Sequence, residues 1–133
     1  REWFAEHLRG GVFVGHQTGA DLGRAVASMD MLFNPSVTET FGNVTLEAMA
    51  CALPVVAAIA TGSESLVRGG VSGQLVEPGD IDGFADALET YCNDPALARQ
   101  HGQAGEERAS DFGWDRINSA VLNTYRSLLA EKR

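Results

Sequence analysis

Pro54-Val55-Val56-Ala57-Ala58 is apolar at every position. A strand with one wet face alternates apolar and polar residues, so a strand that does not alternate is covered on both sides. This segment therefore asks for a sheet with helices above and below it. The flanking residues fit that demand. Val12-Phe13-Val14, ended by Gly15, reads as a strand, and so do Asp30 to Asn34, stopped by Pro35, and Gly73 to Val76, stopped by Glu77-Pro78-Gly79. Between them, Leu22, Ala25, Val26 and Met29 recur at helical spacing, and residues 43–51 are rich in helix formers. After residue 79 only helices are expected. Asp80 is a predicted N-cap before the stripe Ile81, Phe84, Ala87, Leu88 and Tyr91. Asp94-Pro95 is a second helix start, and Trp114, Ile117, Val121, Tyr125 and Leu128 form a third stripe. The expected fold is α/β: a partial doubly wound, Rossmann-like parallel sheet with a helical C-terminal tail. It forms one domain over 1–133, with a βα core in 1–79 and helices in 80–133. In the strand order 3-2-1-4-5-6, Val12–Val14 would be the third strand and Met31–Asn34 the fourth, so the two would not be neighbours.

Composition excludes several classes. The 133 residues are 44% hydrophobic and 21% charged, as in a globular domain. The net charge of −8 opposes nucleic-acid backbones. Leu53 to Ala60, the longest apolar run, is far short of the ~20 residues that span a bilayer. Cys51 and Cys92 lie too far apart for a metal or redox motif and read as two small core residues. His7, His16 and His101 are scattered and Asp-x-Asp is absent, so no metal and no cofactor are expected. The opening REWFAEHL, without Met or a signal-like pattern, reads as an internal cut in a longer chain. These features suggest a cytoplasmic protein, with attachment at a membrane surface left open for the full-length polypeptide.

Open parallel sheets bind ligands at the carboxyl ends of their strands. The segments there are Gly15 to Gly19, Pro35 to Asn43 and Ile59 to Glu64, rich in Gly, Ser, Thr and Glu. Such loops offer amides and hydroxyls to phosphorylated or polyhydroxylated ligands. The helix starting near Gly42-Asn43 presents free amides and the positive end of its dipole. Glu39 before it and Glu47 within it can each accept two hydroxyl hydrogen bonds, as a sugar or ribose offers. From spacing alone, Glu47 as a solvated helix residue and Glu39 as a helix cap remain open. Ser36 and Ser63 have no neighbouring His, which argues against a serine hydrolase.

The stretch Asn34 to Ala57, NPSVTETFGNVTLEAMACALPVVA, resembles the donor-site motif of the family 4, or group 1, retaining glycosyltransferases of GT-B fold. ATGSE, GQLVEPGD and DFGW resemble the family's following landmarks, and FVG and SMDMLFNPS its preceding ones, from Val12 to about Tyr125. The resemblance implies the C-terminal, donor-binding part of a two-domain enzyme. That enzyme would move a sugar from a nucleoside diphosphate to an acceptor hydroxyl with retention, without a metal. By this likeness Glu39 holds the donor sugar and is the catalytic candidate, and Glu47 binds the ribose. Phe41, Gly42, Asn43 and Val44 form the turn that approaches the sugar and diphosphate. Gln17 is implied as a base contact, and His16 as either ligand-facing or an ordinary loop histidine.

The implied partners are a nucleotide-sugar donor, an unidentified glycan or lipid-linked acceptor, and an N-terminal domain. Ala52 stands where the family has Gly at a left-handed helix stop, and Thr61-Gly62 where two glycines are common. The Arg and Lys that grip the diphosphate in the family have no counterpart; Arg9, Arg24 and Arg68 do not match them. Two alternatives stand beside the transferase reading: a catalytically inactive donor-binding fragment, and a GT-B-type sugar-nucleotide epimerase.

Overall fold

A computed structural model of the protein describes residues 2–131. In chain order the elements are α1 (Glu2–His7), α2 (Gly19–Ala27), β1 (Leu32–Asn34), α3 (Asn43–Ala50), β2 (Val55–Ala58), α4 (Thr61–Leu66), β3 (Gln74–Val76), α5 (Ile81–Asn93) and α6 (Pro95–Ala109). A 3₁₀ turn (Ser110–Phe112) and α7 (Trp114–Glu131) follow. The three strands form one parallel sheet in the order β1-β2-β3.

The unbroken apolar strand is the centre of the molecule. All four residues of β2 are fully buried. Val55 and Ala57 point into one core with Ala48, Met49, Leu53, Leu66 and Ala109. Val56 and Ala58 point into a second core with Val76, Phe84, Ala87 and Tyr91. Burial of each valine contributes about 1.5–3 kcal/mol, and the alternation along β2 divides that gain between both faces of the sheet.

Helix α6 approaches α3 through glycines. A Cβ on Gly102 would overlap the carbonyl oxygen of Ala52, and one on Gly105 would sit 3.5 Å from Met49 Cγ. Ala52 itself turns the chain from α3 into β2 at φ +56°, the left-handed stop expected of it. An alanine there costs roughly 1 kcal/mol relative to glycine. Both predicted N-caps form. Asp80 Oδ1 accepts from the Gly83 amide at 2.9 Å, and Asp94 Oδ1 accepts from Leu97 at 2.9 Å and Ala96 at 3.1 Å.

Three expectations need correction. Val12–Val14 is not a strand, and Val12 is 84% exposed. A strand requires a ladder, and no described segment occupies the places of the first and second strands beside which Val12–Val14 would lie. Cys92 is exposed rather than in the core, because α5 turns it away from Phe84 and Tyr91; Cys51 is half-buried. The stripe on α7 forms a helix that is mostly bare: Ile117 is half-buried, but Trp114 is 78% and Tyr125 63% exposed. A compact monomer of 14.2 kDa exposes about 6,800 Å², whereas this chain exposes 9233 Å².

Tyr91 and His101 lock α5 to α6. Both are buried, and the phenol oxygen lies 2.8 Å from His101 Nδ1. Burial pushes the Tyr91 phenol up to about 12, so it stays a neutral phenol. Burial also lowers the His101 pKa below its ordinary 6.5, against a smaller opposing effect of the Gly70 backbone. The unfolded chain therefore takes up a proton more readily than the folded one. The stability from neutral His101 is present above the unfolded pKa and is lost as pH falls from about 6.5 toward the folded value. Thermal melts from pH 8 to pH 5 should show a decline that flattens in His101→Gln. Parallel declines in both proteins would remove His101 as the cause.

Candidate functional site

The site residues depend on how the chain leaves β1. Asn34 ends that strand and is buried. Its Nδ2 donates to Thr45 Oγ1 of α3 at 3.3 Å, and its Oδ1 accepts from the Ser36 amide at 3.2 Å. The Thr38 amide donates to Ser36 Oγ at 3.4 Å. One buried amide side chain thus ties the strand end, the start of the loop and the following helix together. Asn34 was not singled out from sequence; a lone polar residue closing an otherwise apolar strand was the available signal.

The loop ends at Gly42, which is buried at φ +91° and precedes α3 with no side-chain cap. The positive φ is one that side-chain-bearing residues rarely adopt. It turns the chain so that α3 starts with first-turn amides lacking intrahelical partners, near the carboxyl ends of the strands. Asn43 and Val44 are exposed at this helix start, Phe41 is 40% exposed, and Glu39 is half-buried.

A second loop closes against the first. The Gly62 amide donates to the Glu39 carbonyl at 3.2 Å. A Cβ on Gly62 would lie 2.9 Å from the Phe41 carbonyl carbon and 3.0 Å from Glu39 Cβ. Glycine at this position is therefore a requirement of contact between the two loops. Ser63, next in the chain, is fully buried and presents no nucleophile.

Glu47 is exposed on α3 and lines a cleft of about 370 Å³ between α3 and α2, with Gly19, Leu22 and Gly23 opposite it. The segment after Val14 leads directly into that wall. His16 is exposed, and Gln17 is half-buried with Nε2 donating to the Val14 carbonyl at 2.6 Å. The structure thus brings Glu39, Phe41, Gly42, Asn43 and Val44 to the carboxyl end of β1. Glu47 stands one face further round, beside α2. His16 and Gln17 sit at the approach to the same cleft, in a loop bound to its own backbone. Among the described residues, no group of three His, Cys, Asp or Glu is placed to hold a metal ion. No described helix is long and apolar enough to cross a membrane.

A parallel sheet with helices on both faces, and glycine-rich loops and carboxylates at its strand ends, defines a layered α/β domain of the kind that binds ligands at the carboxyl ends of its strands. Comparison with known proteins narrows the class. A family model described as glycosyl transferases group 1 matches residues 2–94. The D-inositol 3-phosphate glycosyltransferase of Kribbella flavida is 44% identical over 93 residues, covering 70% of this chain and 22% of that protein. Its counterpart in Mycobacterium marinum is 37% identical over 121 residues, 90% of this chain and 26% of that protein. Among solved structures, sucrose-phosphate synthase from Thermosynechococcus elongatus superposes with a TM-score of 0.84 at 34% identity, over 98% of this chain and 33% of that one. HepE from Anabaena, in complex with UDP and glucose, gives a TM-score of 0.83 at 31% identity, over 95% and 35%. The chain belongs to the group 1 glycosyltransferases and has the α/β fold of a GT-B C-terminal half. It spans about a quarter of the length of the curated relatives it matches.

Gly62→Ala tests the contact between the loops. The added methyl must displace backbone, and overpacking of this kind costs about 1–3 kcal/mol. Urea denaturation should show that loss, with amide chemical-shift changes centred on residues 39–42. A stability unchanged from the parent would mean that the loops do not meet there.

Proposed function

We propose that this chain supplies the donor site of a glycosyltransferase that moves a sugar from a nucleoside diphosphate to an acceptor hydroxyl with retention of configuration. The observation that carries the reading is the Glu39 loop and the uncapped start of α3 at the carboxyl end of the sheet, with the Glu47 cleft beside them on the same helix, in a chain of this family. A similar protein, HepE, was solved in complexes with UDP and with UDP-glucose, which favours a uridine nucleotide as the first donor to try. A glucosyl or mannosyl donor is the favoured sugar.

The reaction's difficulty is negative charge growing on the departing diphosphate. Preorganised amides at a helix start oppose that charge, which corresponds to roughly half a unit of positive charge at the end of α3. In this reading, Glu39 accepts hydrogen bonds from the sugar hydroxyls and is the catalytic residue. Gly42, Asn43 and Val44 face the sugar and diphosphate, with Phe41 bounding the turn. Glu47 holds the ribose, and His16 and Gln17 lie toward the base. The chemistry needs no metal here. The site for the acceptor and the cations that would grip the diphosphate would lie in the portion of the relatives' length that this chain does not span.

A second reading concerns the 133-residue chain alone. Its 9233 Å² of exposed surface, including the mostly bare stripe of α7, favours a marginally stable, self-associating fragment that binds donor weakly. Sugar transfer by this chain alone, from a monomer with a sharp reversible melt, would overturn that reading.

Two substitutions in the complete gene product separate the glutamates. Glu47→Gln should raise the donor KM with a smaller effect on kcat, since a hydrogen bond to a charged acceptor contributes about 1.5–3 kcal/mol. Glu39→Ala should reduce kcat more than it weakens binding of the free nucleoside diphosphate, which has no sugar to hold. Calorimetry with UDP beside steady-state kinetics reads both. Unchanged donor KM in Glu47→Gln removes that residue from the site, and equal losses in Glu39→Ala reduce Glu39 to a loop support.

A further inference from the structure

Two residues on the C-terminal side of the chain reach the Glu39–Phe41 loop from behind. The ring of Phe112, in the 3₁₀ turn after α6, meets Phe41 edge-on, with centroids 5.8 Å apart and planes at 66°. The Arg108 guanidinium lies 5.6 Å from the centroid of the same Phe112 ring. Its Nε donates to the Leu66 carbonyl and its Nη2 to the Ser65 carbonyl, each at 2.7 Å. Those carbonyls end α4. The other end of α4 carries Gly62, whose amide holds the Glu39 carbonyl. One guanidinium and one ring therefore touch both sides of the loop: Glu39 through α4, and Phe41 directly.

The arginine is used in an unusual way. Glu107 and Asp111 flank it in sequence, yet among the described residues Arg108 forms no salt bridge. Its hydrogen bonds go to the last carbonyls of a six-residue helix, groups that helix geometry leaves without partners. Phe112 packs against the edge of the core that includes Met49 and Leu66, and Phe41 stands outside it. Phe41 is 40% exposed and Phe112 half-buried, so the contact lies at the rim of the site. Contact at a rim governs where a loop sits more than whether the domain folds. α6 gives the support a firm base, because its Gly102 and Gly105 seat it against the α3–β2 turn and Met49.

We infer that Arg108 and Phe112 form a clamp that fixes the Glu39–Phe41 loop, and that they are positioning residues for sugar transfer. The clamp follows from these contacts; its role in transfer rests on the donor-site reading above. Small displacements of a reacting group lower turnover by up to about a hundredfold, so loosening the clamp acts on kcat. Glu47, Asn43 and Val44 are carried by α3 outside the clamp, so affinity for the nucleotide alone should be spared.

The test uses the complete gene product with Phe112→Ala, Arg108→Met, the ring-preserving Phe112→Tyr, and Leu88→Ala as a destabilised control on the far side of the sheet. Hydrogen exchange in the absence of ligand comes first. Faster exchange confined to residues 39–41 and 61–66 is expected in Phe112→Ala and Arg108→Met, reversed in Phe112→Tyr and absent in Leu88→Ala. Kinetics with UDP-glucose, read as UDP release, should show kcat lowered about 10- to 100-fold with UDP affinity unchanged. Exchange that rises uniformly, equal losses of kcat and UDP affinity, or failure of Phe112→Tyr to restore the parent behaviour would overturn the clamp. Should Phe112→Ala fail to fold, Arg108→Met carries the same two measurements. Localised exchange in a protein that turns over no nucleoside-diphosphate sugar would sink the donor reading and leave the clamp standing.

Discussion

Burial of β2 on both faces is the constraint on which the rest of this structure depends. Val55 and Ala57 can be dry only if α3, α4 and α6 cover them, and Val56 and Ala58 only if α5 does. The strand's four residues therefore recruit elements from nearly the whole chain after residue 42. They also fix the direction of the sheet. With β1 and β3 parallel to β2 on either side, the loops after β1 and β2 must emerge at the same end. That end is where Glu39 and Gly62 meet. The site's location is thus a consequence of packing before any ligand is considered.

Glycine supplies the remaining precision. Two pieces of backbone can hydrogen-bond or pack directly only where no Cβ stands between them. At Gly102 this lets α6 settle onto the Ala52 carbonyl, and at Gly62 it lets the second loop reach the first. Ala52 shows the converse. The turn needs a left-handed residue, alanine occupies it, and the neighbouring Gly102 provides the room that the turn requires. The cost of one left-handed alanine is small beside the burial of β2 that the turn makes possible.

The central elements were legible because their signals are local. The unbroken run at β2 and the caps at Asp80 and Asp94 each follow from a few adjacent residues, whereas the left-handed stop at Ala52 was implied by the family resemblance. Val12–Val14 shows the limit of that reasoning. Its residues carry strand propensity, but a strand is a property of a pair, and the pairing depends on segments elsewhere. Cys92 failed for a similar reason: frequency of burial says nothing about which way one helix faces. The glutamates and the turn between them were legible as a motif, while the contacts that hold that motif were not. Asn34 acts across 11 residues of sequence, Arg108 across 43 and Phe112 across still more, Gly62 joins separate segments, and no periodicity encodes such distances.

The two glutamates are held by different means, and this difference bears on what each can do. Glu47 belongs to α3, whose buried face includes Thr45, Ala48 and Met49, so its backbone moves only if the core moves. Glu39 belongs to a loop between Asn34 and Gly42 and depends on contacts with Gly62 and on the ring of Phe112 behind Phe41. Groups on helices are placed more firmly than groups on loops. A ligand gripped first by the α3 side would meet a rigid surface there and an adjustable one at its other end. For the proposed transfer this is a useful asymmetry, since the nucleotide would remain whole while the sugar changes partners. Rigidity at the unchanging end and a loop held in place from behind at the reacting end would let the second contact be strongest as the bond breaks, which is the condition for binding energy to accelerate a reaction rather than merely hold its substrate.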